Sequence, residues 1–172
     1  PVKVHCSLLA EEAIHAALWD YAEKNHIQIE GLKKPKSDIH EDEEAASKVI
    51  ARKIADEINA SEGVFRLGLS TGSSPVFVYK ELVELYNEGK VSFKNVEVYS
   101  IDEYYPAPAD SFSRNRRLYQ DFAAKVDINP DNVHVPKLSE VHESTFVTEF
   151  CASYDAKARG LDFLVMGTGE NG

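Results

Sequence analysis

The sequence predicts an α/β fold: a three-layer, Rossmann-like domain on a mostly parallel sheet, preceded by a helical appendage. Three observations carry this. From residue 43 onward, short apolar runs alternate with amphipathic stretches of helical period. Three apolar runs, at 65–69, 96–101 and 162–166, each open into a loop rich in glycine, hydroxyl or carboxylate residues. The helical stretches are punctuated by residues that start or stop helices, among them Pro75, Gly89 and Gly160.

In order, Val2-Lys3-Val4 is a short apolar stretch. Ser7 is placed to cap a helix over about 8–24, with Ala10, Ile14, Ala17 and Tyr21 along one face. Residues 31–44 combine charge, Gly and Pro and read as an acidic linker. The division is therefore 1–42, helix plus linker, and 43–172, α/β domain. A helix over 44–59 should bury Ala46, Ile50, Ile54 and Ile58, and a strand follows at 65–69. Ser74 is expected to cap, and Pro75 to occupy, the first turn of a helix that buries Tyr79, Leu82, Val83 and Tyr86 and stops at Gly89. A strand at 96–101, a helix at 113–125, a short strand at 132–135, a helix at 144–159 closed by Gly160, and a strand at 162–166 complete the pattern.

The chain has 172 residues, 43% hydrophobic, enough for one core. Its formal net charge of -10 argues against general nucleic-acid or anionic-membrane binding, while leaving room for a phosphorylated small molecule held by one local loop. A homo-oligomer is compatible with the composition. Cys6 and Cys151 have no CxxC spacing, which points to a reducing compartment without a disulfide framework. With no signal peptide or apolar run of spanning length, the cytoplasm is the expected location. The chain starts at Pro1 and stops in a Gly-rich loop at Gly172, and the expectation is of a chain cut at both ends.

Three loops carry candidate chemistry. Ser70-Thr71-Gly72-Ser73-Ser74 joins a strand to a helix N-terminus, where backbone N–H groups, hydroxyls and the helix dipole suit a phosphate. It has neither a Walker lysine nor GxGxxG spacing, so neither a nucleoside triphosphate nor a dinucleotide is indicated. Alone, the loop reads equally well as a tight turn before a capped helix. Asp102-Glu103-Tyr104 follows an apolar strand. If the strand continues, one carboxylate faces the pocket and can act as a general base. Taken alone, a solvated Asp-Glu pair is the simpler reading. Gly167-Thr168-Gly169-Glu170-Asn171-Gly172 is a weak signal by itself. The strength lies in three such loops at one edge of one parallel sheet, where ligands bind in open α/β folds.

Together these loops resemble the glucosamine-6-phosphate isomerase/deaminase family, related to the 6-phosphogluconolactonases, over about 43–172. Thr71-Gly72-Ser73-Ser74-Pro75 matches the family's phosphate loop. Asp102-Glu103-Tyr104 matches its Asp-Glu-Tyr motif, a wording that favours the deaminase branch over the lactonases. Ser92-Phe93-Lys94-Asn95 and the stretch from Asp127 to His134 also look like the family. The resemblance implies Asp102 as the proton-shuttling base, a phosphate cradle of Ser70, Thr71, Gly72, Ser73 and Ser74, and no metal or organic cofactor. It implies conversion of glucosamine 6-phosphate to fructose 6-phosphate with release of ammonia, an isomerase and hydrolase chemistry of amino-sugar metabolism. Asn171 stands where the family carries an aspartate, and the ring-opening histidine would follow Gly172. These 172 residues are therefore expected to be inactive alone, with altered chemistry or a lactonase-like hydrolysis as alternatives.

The first residues, from Pro1 to Lys24, resemble the C-terminal end of iron–sulfur cluster assembly scaffold proteins. In that family the residue matching Cys6 is a cluster ligand and the one matching His5 lies beside the cluster. This implies a non-enzymatic carrier role as an alternative. One Cys and one His fall short of a closed site, so no bound metal is expected. Among Arg114, Arg116 and Arg117, one is placed to meet a phosphate, although a solvated helix face is the simpler reading for the set. His15 and His26 read as surface residues, His134 and His142 lack ligand spacing, and Trp19 reads as a packing residue.

Overall fold

The computed structural model describes residues 2–5, 8–34, 38–73, 75–105, 114–137 and 144–167. Its elements are β1 (Val2–His5), α1 (Leu8–Lys24), α2 (Glu43–Ala60), β2 (Phe65–Leu69), α3 (Val76–Asn87), β3 (Val96–Ser100), β4 (Asp102–Tyr105), α4 (Arg114–Asp121), β5 (Val133–His134), α5 (Ser144–Lys157) and β6 (Phe163–Val165). Short 3-10 turns lie at Ala123–Lys125 and Pro130–Asn132.

Four strands form one parallel sheet in the order β5-β3-β2-β6. Alternation along the strands builds two faces. Phe65, Leu67 and Leu69 of β2 and Val96 and Val98 of β3 join Ala51, Ile54, Ala55 and Ile58 of α2, Val78, Tyr79, Leu82 and Leu85 of α3, and Leu118 of α4 in the main core. On the opposite face Tyr99 packs with Tyr154 and Ala158 of the α5 segment, backed by Phe150 and Leu161. The result is the three layers expected from the sequence. Gly68 belongs to the second face, where a Cβ would lie 2.6 Å from Leu164 Cδ1 and 2.7 Å from Leu161 Cδ1, so a side chain there would require both leucines to move.

Asp42 caps α2 by accepting the N–H of Ala45 at 2.7 Å. Gly89 and Gly160 follow α3 and α5 with φ of +71° and +76°, the left-handed conformation that glycine takes at low cost after a helix. Ser92 Oγ and the N–H of Phe93 both donate to the Asp127 carboxylate at 2.7 Å. This bond ties together two of the stretches on which the family resemblance was read.

Several expectations need correction. The buried stripe of α2 is rotated: Ala46 and Ile50 are half-buried, and Ser47, Ala51 and Ala55 join Ile54 and Ile58 inside. In α3, Val78 and Leu85 are buried, while Val83 and Tyr86 flank the core. Pro75 is the N-cap residue, with no side-chain capping bond, and Ser74 lies outside the described residues. The face of α1 that carries Ile14 and Tyr21 is open, the two residues being 57% and 58% exposed. Leu18, Ile27 and Ile29 nearby are exposed as well. Finally, the chain after Ile101 forms a further strand, β4, paired antiparallel with β1 in the register Val2↔Tyr105 to His5↔Asp102.

Candidate active site at the C-terminal sheet edge

Register places the candidate loops together. Leu69 of β2 is opposite Ser100 of β3 on one side and Val165 of β6 on the other. The ladder continues one step, with Ser70 N–H donating to Val165 O and Ile101 N–H to Leu69 O, each at 3.1 Å. Thr71, Asp102 and Gly167 each lie two residues beyond one of these partners, at the same edge of the sheet. The third loop starts there at Gly167, and Asn171 lies outside the described residues.

Asp102 is 2% exposed and Thr71 3%. The Thr71 hydroxyl donates to Asp102 Oδ1 at 3.3 Å, joining the hydroxyl-rich loop directly to the carboxylate. Ser100 Oγ donates to the main-chain oxygen of Asp102 at 3.3 Å and steadies the bend between β3 and β4. Behind the loop, the buried Tyr79 hydroxyl donates to Ser70 O. Burial raises the Tyr79 pKa far above the usual phenol range, with the nearby Asp102 and Asp121 carboxylates adding to the effect. The phenol therefore remains a donor and holds the loop from its first residue. Ser73 is exposed, Gly72 is half-buried, and Ser70 is half-buried with its Oγ atom inside.

Glu103 is not the solvated partner that the sequence suggested. It is 4% exposed. Its Oε1 accepts the N–H of Tyr104 at 2.9 Å and of Arg114 at 3.1 Å, and its Oε2 accepts the N–H of Asn115 at 3.2 Å. A carboxylate on N–H groups at a helix start satisfies donors that have no partner within the helix and complements the dipole. The two adjacent acids thus divide their surroundings, with Asp102 against Thr71 and Glu103 under α4.

Arg114 joins this cluster, while Arg116 and Arg117 point outward. Its guanidinium donates through Nη1 to Thr71 O and through Nη2 to the Tyr104 hydroxyl at 2.6 Å, with Cζ 5.0 Å from the Tyr104 ring centroid. Sequence reasoning did not select Arg114 from the three arginines, and it missed Tyr79 and Tyr104 as supports. Tyr154 was missed too. Its hydroxyl reaches Ser100 O at 2.8 Å and His134 O at 2.9 Å, bridging the ends of β3 and β5.

Ser74, Cys6 and His142 are outside the described residues, and of His5 only the backbone is described, as the β1 register partner of Asp102. His26 is exposed and His15 half-buried. Among the described residues no group of three or more His, Cys, Asp or Glu side chains comes together in a way that could hold a metal ion. No described helix is long and apolar enough to cross a membrane.

Comparison with known proteins now identifies the class. The profile of the family described as glucosamine-6-phosphate isomerases/6-phosphogluconolactonase matches residues 40–172, and the chain belongs to that family. It is 37% identical to a glucosamine-6-phosphate deaminase of Phocaeicola vulgatus, over 78% of this chain and 52% of the relative. It is 36% identical to a glucosamine-6-phosphate isomerase of Candida albicans, over 74% of this chain and 51% of the relative. A solved monomeric glucosamine-6-phosphate deaminase is similar with a TM-score of 0.60 and 26% identity, covering 67% of this chain and 46% of the other. The chain spans about half the length of the curated relatives it matches.

Proposed function

We propose that this chain carries the phosphate cradle and the general base of an amino-sugar phosphate isomerase/deaminase, acting on glucosamine 6-phosphate to give fructose 6-phosphate and ammonia. The observation that carries the reading is the Thr71–Asp102 hydrogen bond. It puts an acceptor able to take a proton from a sugar carbon beside a loop whose hydroxyls and N–H groups suit a phosphate. Ser70, Thr71, Gly72, Ser73 and Ser74 form the cradle, Asp102 moves the proton between neighbouring sugar carbons, and Asn171 stands in the sequence where the family carries an acid. Glu103, accepting three main-chain N–H groups, is a positioning residue.

The family description also covers 6-phosphogluconolactonases, which makes lactone hydrolysis the second reading. It would need the same phosphate cradle. The Asp102-Glu103-Tyr104 wording and the deaminase and isomerase names of the relatives favour the amino sugar.

The test is a titration of the chain with glucosamine 6-phosphate followed by backbone amide shifts. Ser70, Thr71, Gly72 and Ser73 should respond first. A response elsewhere with this loop silent would remove the reading. An ammonia-release assay run beside 6-phosphogluconolactone hydrolysis separates the two chemistries.

A further inference from the structure

The arm that carries the proposed base stands outside the parallel sheet. Among the described residues, β4 pairs with one strand only, β1, and the two form a sheet of their own. The family profile matches residues 40–172, so Val2–His5 is a strand from outside the matched region laid along the Asp102-Glu103-Tyr104 motif.

The main-chain groups of β4 show which edge meets which neighbour. The N–H of Tyr104 donates to the Glu103 carboxylate at 2.9 Å, and the main-chain oxygen of Asp102 accepts Ser100 Oγ at 3.3 Å. Both groups are engaged away from β1. In an antiparallel ladder, opposite residues alternate between pairs that exchange main-chain hydrogen bonds and pairs that do not. With the groups of Asp102 and Tyr104 turned away, the bonded pairs are Val4↔Glu103 and Val2↔Tyr105. The strand therefore grips the arm at the residue next to Asp102, the same residue whose carboxylate anchors α4.

This pairing is weak enough to release. Four residues on each side make a two-stranded ribbon that is marginal without a further strand, and such elements open locally at low free-energy cost. The Thr71–Asp102 bond, at 3.3 Å, is long for a hydroxyl donor, so a small shift of the arm breaks it. A misplacement of about 1 Å in a reacting group costs up to about 10²-fold in rate.

We infer that β1 is a positioning strap for the proposed general base: it orders the Asp102 arm by main-chain pairing, and turnover falls when it detaches. The turnover half rests on the proposed deaminase reading, and the pairing half does not.

The experiment compares wild type, Val4→Pro, Lys3→Pro and Val4→Thr by amide hydrogen exchange, read at Glu103 and Tyr105, with Leu67 and Val98 as the reference for the parallel sheet. Val4→Pro removes a ladder N–H, Lys3→Pro removes one that faces away, and Val4→Thr keeps both the N–H and the β-branched side chain. Protection at Glu103 and Tyr105 should fall by about tenfold in Val4→Pro and be kept in the other two, with Leu67 and Val98 unchanged throughout. In the protein that carries this chain, Val4→Pro should lower kcat for ammonia release by about 3- to 10-fold with KM for glucosamine 6-phosphate unchanged. Equal protection in Val4→Pro and wild type, or the same loss in Lys3→Pro, overturns the strap. Protection that rises with chain concentration assigns the strand to a second copy and overturns pairing within one chain. Lost protection with unchanged kcat overturns the positioning role. A wild-type protein that releases no ammonia removes the functional reading, and the exchange comparison still decides the strap.

Discussion

The carboxylate of Glu103 accepts the main-chain N–H of Arg114 at 3.1 Å, so the strand that delivers the candidate base also anchors the helix that delivers Arg114. With the N–H groups of Asn115 and Tyr104 on the same carboxylate, one buried side chain sets the distance between the Asp102 arm and α4.

Glu103→Ala should therefore act on stability before chemistry. It strands buried N–H donors at a helix start, and a loss of about 2–4 kcal/mol is expected from the cost of charge-assisted hydrogen bonds of this kind. Glu103→Gln keeps one acceptor oxygen and should recover part of the loss. Urea denaturation of the three proteins checks this. An alanine variant as stable as the wild type would mean that α4 is held by its apolar contacts alone.

A second expectation concerns pH. The His134 imidazole has its pKa lowered, chiefly by burial and then by the Lys157 charge, with Glu97 opposing and Arg66 assisting. Its ring lies 4.5 Å from that of Tyr99, on the face covered by α5. Between the folded pKa and the unfolded value near 6.5, the unfolded chain binds more protons. The contribution of His134 to stability is therefore fully present above about pH 6.5 and falls as the pH drops below it. Urea midpoints measured from pH 7.5 to 5.5 should show this slope in the wild type and a shallower one in His134→Gln. Identical slopes would sink the assignment.

The sheet and its edge were legible because they depend on period and punctuation. Alternation within 65–69 and 96–100 sets the buried face of each strand, and Gly89 and Gly160 mark helix ends whatever surrounds them. The division of labour between Asp102 and Glu103 was not legible. Glu103 finds two of its donors at Arg114 and Asn115, across a connection whose path no local pattern gives. Arg114 could not be singled out for a related reason: Arg117 lies three positions on, along the same side of the helix, and only tertiary packing turns one inward. The face of α1 shows the reverse case, where a helical spacing of apolar residues is present but Ile14 and Tyr21 stay exposed.

Metal content gives a third prediction. The first 24 residues offer one thiol and one imidazole beside each other, Cys6 and His5, against the four ligands that a closed zinc or iron–sulfur site requires. The purified chain should carry neither iron nor zinc in stoichiometric amount. Elemental analysis that finds one metal per chain, lost on Cys6→Ala, would instead establish a site at the N-terminal segment.

The last prediction separates the two groups joined at the centre of the site. Asp102→Asn removes the basic oxygen but keeps the shape and an acceptor for the Thr71 hydroxyl. Because a buried carboxylate carries a desolvation cost that an amide does not, the variant should be at least as stable as the wild type. In the protein that carries this chain, ammonia release should fall by about 10²–10⁴-fold, the usual contribution of a positioned general base. Thr71→Val deletes the 3.3 Å hydrogen bond while leaving the carboxylate. It should cost about tenfold, mainly in kcat, since the hydroxyl is used to orient Asp102 while Thr71 serves the cradle through its main-chain N–H, which valine keeps. The double variant should be no slower than Asp102→Asn alone, because an orienting bond has no effect once the base is gone. Full additivity of the two losses would mean that Thr71 acts on the substrate independently of Asp102. An Asp102→Asn protein with near wild-type turnover would place the proton transfer on another residue.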